Sequence, residues 1–131
     1  LPAPGQGALA VTTRARDSKV RDAVRGAIHD AVTGVSVAAE RAFLRRLEGG
    51  CQVPVAALAT MVPASRTLQL HGRVVSLSGD KAVAGQEAGS CQDEMAAEEL
   101  GTRLADRLLA QGGLAILNDV RSSVLPAVTE P

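Results

Sequence analysis

Cys51 stands in the run Arg45-Arg46-Leu47-Glu48-Gly49-Gly50-Cys51-Gln52-Val53-Pro54, where an apolar-periodic helix meets two glycines, then a thiol, then a proline. Glycine after a helix supplies the left-handed cap that other residues resist, and Pro54 forbids the helix from resuming. The thiol is therefore expected on a tight loop with small neighbours, open to close approach by a bulky group. Such a cysteine suits covalent carriage of another molecule. Its acidity is a separate matter, because the negative end of the helix macrodipole disfavours a thiolate there. Arg45 and Arg46 offset that only if they fold back over it.

The second thiol, Cys91, reads as part of the first turn of a later helix, where the dipole would lower its pKa and Asp93 and Glu94 would oppose the shift. That makes it the redox or nucleophilic candidate, against the ordinary reading of a small structural residue. His29 and His71 have no metal-ligand partner at helical or loop spacing,. His71 falls opposite Leu68, Leu70 and Val74 on a strand, which predicts an exposed histidine. Asp30 and Glu40 carry no pattern that separates them from solvated carboxylates. Gly5-Gln6-Gly7 is a turn with a polar side chain between two flexible residues, too short for a dinucleotide fingerprint. No nucleophile–base–orienter triad and no phosphate-binding loop is present.

The elements that must position these groups follow from periodicity. A Pro/Gly segment over 1–7 leads into Ala8–Thr13, which reads as a strand. Asp17 or Ser18 caps a helix to about Ile28 with Val20, Val24, Ala27 and Ile28 on one face. Thr33 is the expected cap of a second helix to about Glu48, with an apolar stripe of Val35, Ala39, Phe43 and Leu47 and with Leu44 beside it. The period then changes to two: Val55–Val62, Leu68–Leu77 and Lys81–Glu87 read as three strands. The turns Pro63–Arg66 and Ser78–Asp80 make them consecutive antiparallel neighbours. A third long helix is expected from Ser90 to about Gln111, with a capping-box-like start at Ser90 and Asp93. Leu100, Leu104 and Leu108 line its buried face and Gly112 ends it. Leu114–Val120 is compatible with a short strand or a helix, and Ser122–Pro131 reads as frayed. The predicted fold class is α+β: a small three-stranded antiparallel sheet with about three helices on one face.

Composition bounds the function. At 131 residues the chain is one domain, or one domain and a tail,. Lys plus Arg and Asp plus Glu balance at 14 each, so no net field draws it to nucleic acid or to a membrane surface,. Phe43 is the one aromatic, which excludes a base-stacking platform,. No apolar run approaches the roughly eighteen residues of a membrane span. Two cysteines forty positions apart point to a reducing compartment,. The chain opens Leu1-Pro2-Ala3-Pro4, without methionine or signal peptide, and reads as a piece of a longer protein,.

Three stretches carry a resemblance: Leu1-Pro2-Ala3-Pro4-Gly5-Gln6-Gly7-Ala8-Leu9, Ala38-Ala39-Glu40-Arg41-Ala42-Phe43-Leu44, and Leu47-Glu48-Gly49-Gly50-Cys51-Gln52-Val53-Pro54. In order and spacing over nearly the whole chain they resemble the C-terminal portion of porphobilinogen deaminase, or hydroxymethylbilane synthase. The Glu-Gly-Gly-Cys-Gln-Val-Pro stretch behind an Ala-Glu-Arg helix is the specific signature; Gly-Gln-Gly alone is weak.

The resemblance implies an enzyme of three domains in the cytoplasm. It joins four porphobilinogen molecules head to tail with loss of ammonia, releases hydroxymethylbilane, and is primed by a dipyrromethane cofactor on a thioether. Cys51 matches the attachment cysteine, and Gln6 matches a supporting glutamine near the cofactor and substrate cleft. Residues 1–14 would be a return segment or hinge belonging to the first two domains, and 15–131 the cofactor-attachment domain. Its partners would be porphobilinogen, the growing oligopyrrole and those first two domains, with no nucleic acid and no membrane. The catalytic aspartate and most carboxylate-binding cations of the family lie upstream of Leu1, so this chain alone is expected to be inactive. Thr12-Thr13 stands where many relatives have Glu-Cys, at positions without chemistry. Two other classes remain open: a non-catalytic interaction domain sharing the fold, and a thiol-based redox protein using Cys91.

Overall fold

The structure is a computed structural model that describes residues 1–47 and 54–124. An N-terminal segment without regular structure leads into helices α1 (Ser18–Ile28) and α2 (Ala31–Arg46). Three strands follow, β1 (Val55–Val62), β2 (Thr67–Val75) and β3 (Ala82–Ser90), then helix α3 (Glu94–Leu108), a kinked turn over Leu109–Gly113 and helix α4 (Leu114–Val124). The strands form one antiparallel sheet in the order β1-β2-β3, with Ala57 opposite Gly72 and Gly72 opposite Gly85. The architecture is the expected α+β one.

Alternation on β2 shows how the sheet is layered. Leu68, Leu70, Gly72 and Val74 are buried while Gln69 and Arg73 between them are exposed. The inward residues meet α2 and α3, whose Ala39, Phe43 and Leu47 and whose Leu100, Leu104 and Leu108 are all essentially inaccessible. Each stripe recurs every four residues, so its side chains lie one above another on a single helix face. α4 closes the end of this core with Ile116, Leu117 and Val120. The other face of the sheet is open, with Leu58, His71 and Gln86 side by side across it.

Missing Cβ atoms set how close the layers come. A Cβ on Gly72 would stand 2.5 Å from Phe43 Cζ and 3.0 Å from Leu104 Cδ2, so the central strand has glycine where both helices converge. On α3, a Cβ at Gly101 would run into the Ala39 carbonyl oxygen and lie 3.0 Å from Phe43 N. Here two helix backbones touch, and neither can shift without moving the whole helix.

Several expectations need correction. Asp30, not Thr33, caps α2: its carboxylate accepts from Thr33 N–H at 2.7 Å. An Asx side chain reaches the amide three residues on, so the helix begins one turn earlier than a Thr33 cap implies. β2 and β3 are displaced from the expected spans, and Ser90 ends β3 instead of opening α3. Asp93 caps α3 through Ala96 N–H. Gly112, at φ 110°, breaks the helical run as expected, and α4 begins directly after it across a kink. Leu114–Val120 is helical, and so are Ser122 and Ser123, expected to fray. Ala8–Thr13 forms no strand. A strand exists by its ladder, and no described strand pairs with this one, leaving Leu9 98% exposed. Helix α1 forms on its Asp17 cap, yet buries none of its residues, with Ile28 62% exposed.

Two glycine-to-alanine changes test the layering. Gly101→Ala is expected to cost about 3 kcal/mol, at the upper end of overpacking penalties, because the obstacle is backbone. Gly26→Ala on α1 meets nothing within 4 Å, and helix propensity then leaves stability unchanged or raised by up to about 1 kcal/mol. Urea denaturation followed by circular dichroism reads both; equal effects would contradict the close helix crossing.

Candidate functional site

Cys51, the expected attachment residue, lies outside the described residues, as does the whole stretch from Glu48 to Val53. What brackets it is well placed. Leu47, the C-cap of α2, is buried in the core. Pro54 accepts from Val75 N–H at 3.0 Å, extending the β1–β2 pairing by one bond. The thiol is thus carried between two ends fixed to the same core.

Gln6 sits at the tip of a double turn. Gly5 and Gly7 take φ values of 77° and 89°, a region side-chain-bearing residues avoid,. Gln6 N–H donates to Ala3 O at 3.1 Å, and its Oε1 accepts from Ala3 N–H at 3.3 Å. The side-chain amide nitrogen has no partner among the described residues and is exposed, so it is available as a donor to a carboxylate,.

The residue that sequence reasoning missed is Glu40. It is the buried charged residue of the described chain, 5% exposed. Its Oε2 accepts from Gly5 N–H at 2.5 Å and its Oε1 from Ala59 N–H at 2.8 Å. One carboxylate thereby joins the Gln6 turn, α2 and β1. The available signal was its register: Glu40 directly follows buried Ala39, at the margin of the stripe. Periodicity alone does not tell a margin residue in water from one reaching a strand edge.

Arg45 pairs with Glu98 at 3.2 Å and Arg46 with Asp106 at 2.6 Å, so both are directed to α3. Cys91 is not in the first turn of α3; it precedes the cap Asp93 and is buried in the core. Burial pushes its thiol above the ordinary value, with Arg103 opposing and Asp93 adding to the shift. The dipole argument for a reactive Cys91 therefore fails. His71 is half-buried on the open sheet face, less exposed than expected, and His29 is exposed as the C-cap of α1. Asp30 is held below the usual carboxylate range chiefly by its hydrogen bond to the Thr33 backbone. Among the described residues no three of His, Cys, Asp and Glu gather to hold a metal ion. No helix among the described residues is long and apolar enough to cross a membrane.

Between residues 8–13, α1 and the outer side of α2 runs an open trough of about 810 Å³, with Leu9, Val11 and Ile28 facing Arg25, Arg41 and Arg45. Asp30, Glu94 and Glu98 line it as well, so its charge is mixed, and it is not an enclosed site.

Comparison with known proteins bears on this geometry. Residues 35–110 match the family model described as "Porphobilinogen deaminase, C-terminal domain". Proteins named porphobilinogen deaminase are similar over most of the chain. That of Trichlorobacter lovleyi is 49% identical over 120 residues, 92% of this chain and 36% of the relative. That of Moorella thermoacetica is 48% identical over 122 residues, 93% of this chain and 37% of the relative. That of Rubrobacter xylanophilus is 48% identical over 121 residues, 92% and 37% respectively. The chain thus spans little more than a third of the length of these relatives.

The two thiols should separate by reactivity. At pH 8, Cys91 is expected to react with iodoacetamide at least about tenfold more slowly than a free thiol, because thiolate and access both fall on burial. Denaturant should restore its rate. Peptide mapping of alkylated protein reads each cysteine, and a fast native Cys91 would reopen the redox reading.

Proposed function

Because the chain belongs to the porphobilinogen deaminase family and matches its C-terminal domain, we propose that it is the cofactor-bearing part of an enzyme that condenses four porphobilinogen molecules into hydroxymethylbilane with release of ammonia. The observation that carries this reading is the Glu-Gly-Gly-Cys-Gln-Val-Pro stretch, in sequence between the buried end of α2 and the head of β1, in a chain so similar to deaminases. Cys51 would hold a dipyrromethane through a thioether, and when bound that group supplies the primer on which the oligopyrrole grows.

The chain's own residues fit such a group. A lone thiol preceded by two glycines suits one carbon–sulfur bond, and that bond, unlike a disulfide, survives a reducing cytoplasm. Alkylation by a strong electrophile needs access more than thiol acidity, so the helix C-terminus before Cys51 is no obstacle. Gln6, with its amide nitrogen outward, would donate to a pyrrole carboxylate. The cations nearest the thiol in sequence, Arg45 and Arg46, are engaged by Glu98 and Asp106. Positioning of acetate and propionate groups therefore falls to other parts of the enzyme.

In this reading residues 1–14 return from, and hinge to, the first two domains, and 15–131 form the third. Two features support the division: residues 8–13 have no regular structure and no ladder partner among the described residues, and the trough beside α1 is open. Both are surfaces that the first two domains would cover.

A denaturing mass spectrum with peptide mapping of the full-length parent is the test. We expect two pyrrole units on the Cys51 peptide, and loss of both the adduct and turnover in Cys51→Ser. The isolated chain is expected to form no hydroxymethylbilane above the uncatalysed background. An unmodified Cys51 in an otherwise intact parent would favour a non-catalytic domain.

A further inference from the structure

Glu40 carries a charge in a place where charge is expensive. Moving a carboxylate out of water costs several kcal/mol unless partners replace the lost hydration. The usual partner is Arg or Lys, but here the two oxygens accept from two peptide N–H groups, Gly5 at 2.5 Å and Ala59 at 2.8 Å. As a packing element alone it is poorly chosen, since an apolar side chain of similar volume is often as stable as a buried charge.

Its two partners come from different segments. Ala59 N–H points outward from the free edge of β1, the side away from β2, and Ala57 N–H on the same edge is taken by Pro2 O at 3.0 Å. One carbonyl and one carboxylate thus cover an edge that a neighbouring strand would otherwise pair with. Gly5, at φ 77°, turns its N–H toward Glu40. Gln6 is then fixed by its own bonds to Ala3. The head of β1, at Val55, is four positions after Cys51.

We propose that Glu40 is a positioning residue for the deaminase reaction: its carboxylate ties the Gln6 turn to β1 and so sets where the Gln6 amide stands. The role rests on the reading of Cys51 and Gln6 given above. Both oxygens of Glu40 are taken by the Gly5 and Ala59 N–H groups, so its influence passes through Gly5 to Gln6. Glutamine is the informative replacement. Its one oxygen can serve one N–H, and its NH2 group would then face the other donor, so the clamp loses one jaw while volume is kept.

The test is a double-mutant cycle in the full-length enzyme: wild type, Gln6→Ala, Glu40→Gln and the double variant. The readouts are kcat and KM for porphobilinogen and the mass of the Cys51 peptide. We expect Glu40→Gln to lower kcat about tenfold or more with the adduct still present. The double variant should fall no further than the slower single, within about twofold, because both changes remove one positioned amide. Multiplying losses, or a Glu40→Gln enzyme with wild-type kcat, would overturn the role. Should Glu40→Gln fail to fold, amide exchange in the wild-type enzyme still decides: slow exchange at Gly5 and Ala59 is expected, and exchange at the unprotected rate at Gly5 removes the clamp. A wild-type Cys51 without pyrrole units would sink the deaminase reading and this role with it. Protected Gly5 and Ala59 amides in that same protein would show the clamp itself to be sound.

Discussion

The close approach of α3 to α2 and to the sheet is the constraint on which the other arrangements hang. Three leucines at four-residue spacing reach the sheet only because Gly72, Gly85 and Gly89 stand beneath them, each leaving room that a Cβ would take. The two helices in turn meet at Gly101 against the Ala39 carbonyl. That contact fixes the rotation of α2 about its axis, since a helix packed through its backbone has little freedom to roll. With Ala39 directed at α3, the following residue on the helix faces the β1 edge. Glu40 is brought to Ala59 by a glycine sixty-one positions later in the chain.

The same rotation separates the two thiols. α2 ends with Leu47 in the core, so the chain enters the Cys51 stretch from a fixed point and leaves it at Pro54, bonded to β2. Cys91 lies between the end of β3 and the cap of α3, where the same compact packing buries it. One cysteine is excluded from water by the core, and the other is carried on a segment anchored at both ends. Electrostatics alone would have ranked them the other way. The rise in Cys91 pKa is a consequence of that burial.

The legible part of the fold was what local pattern dictates. The stripe Val35, Ala39, Phe43 and Leu47 and the row Leu100, Leu104 and Leu108 are core in the structure, because burial on one helix face imprints a period near four. β1 occupies the span its alternation gave. Boundaries failed where competing side chains could cap: Asp30 and Thr33 both suit an N-terminus, and only the backbone of the preceding turn decides between them. Glu40 was unreadable for another reason. Its worth depends on two amides, at Gly5 and Ala59, that no local window contains. Cys51 was identified by resemblance, and local chemistry would have preferred Cys91.

α1 and residues 8–13 teach a further point about periodicity. Val20, Val24 and Ile28 recur as a buried face should, and Leu9 and Val11 alternate as a strand should, yet neither set is buried among the described residues. Periodicity records where a side chain is buried in the molecule that selection acts on, whichever part supplies the covering surface. In the core stripes pattern and burial agree, so the rule is sound for this chain. Where they disagree, an unmet apolar face beside an open trough is what a missing neighbour leaves behind. A chain that spans little more than a third of its relatives has neighbours of that kind to be missing. The failed strand and the bare helix thereby support the division proposed for residues 1–14. In that proposal α1 would also lie on the covered side of the surface.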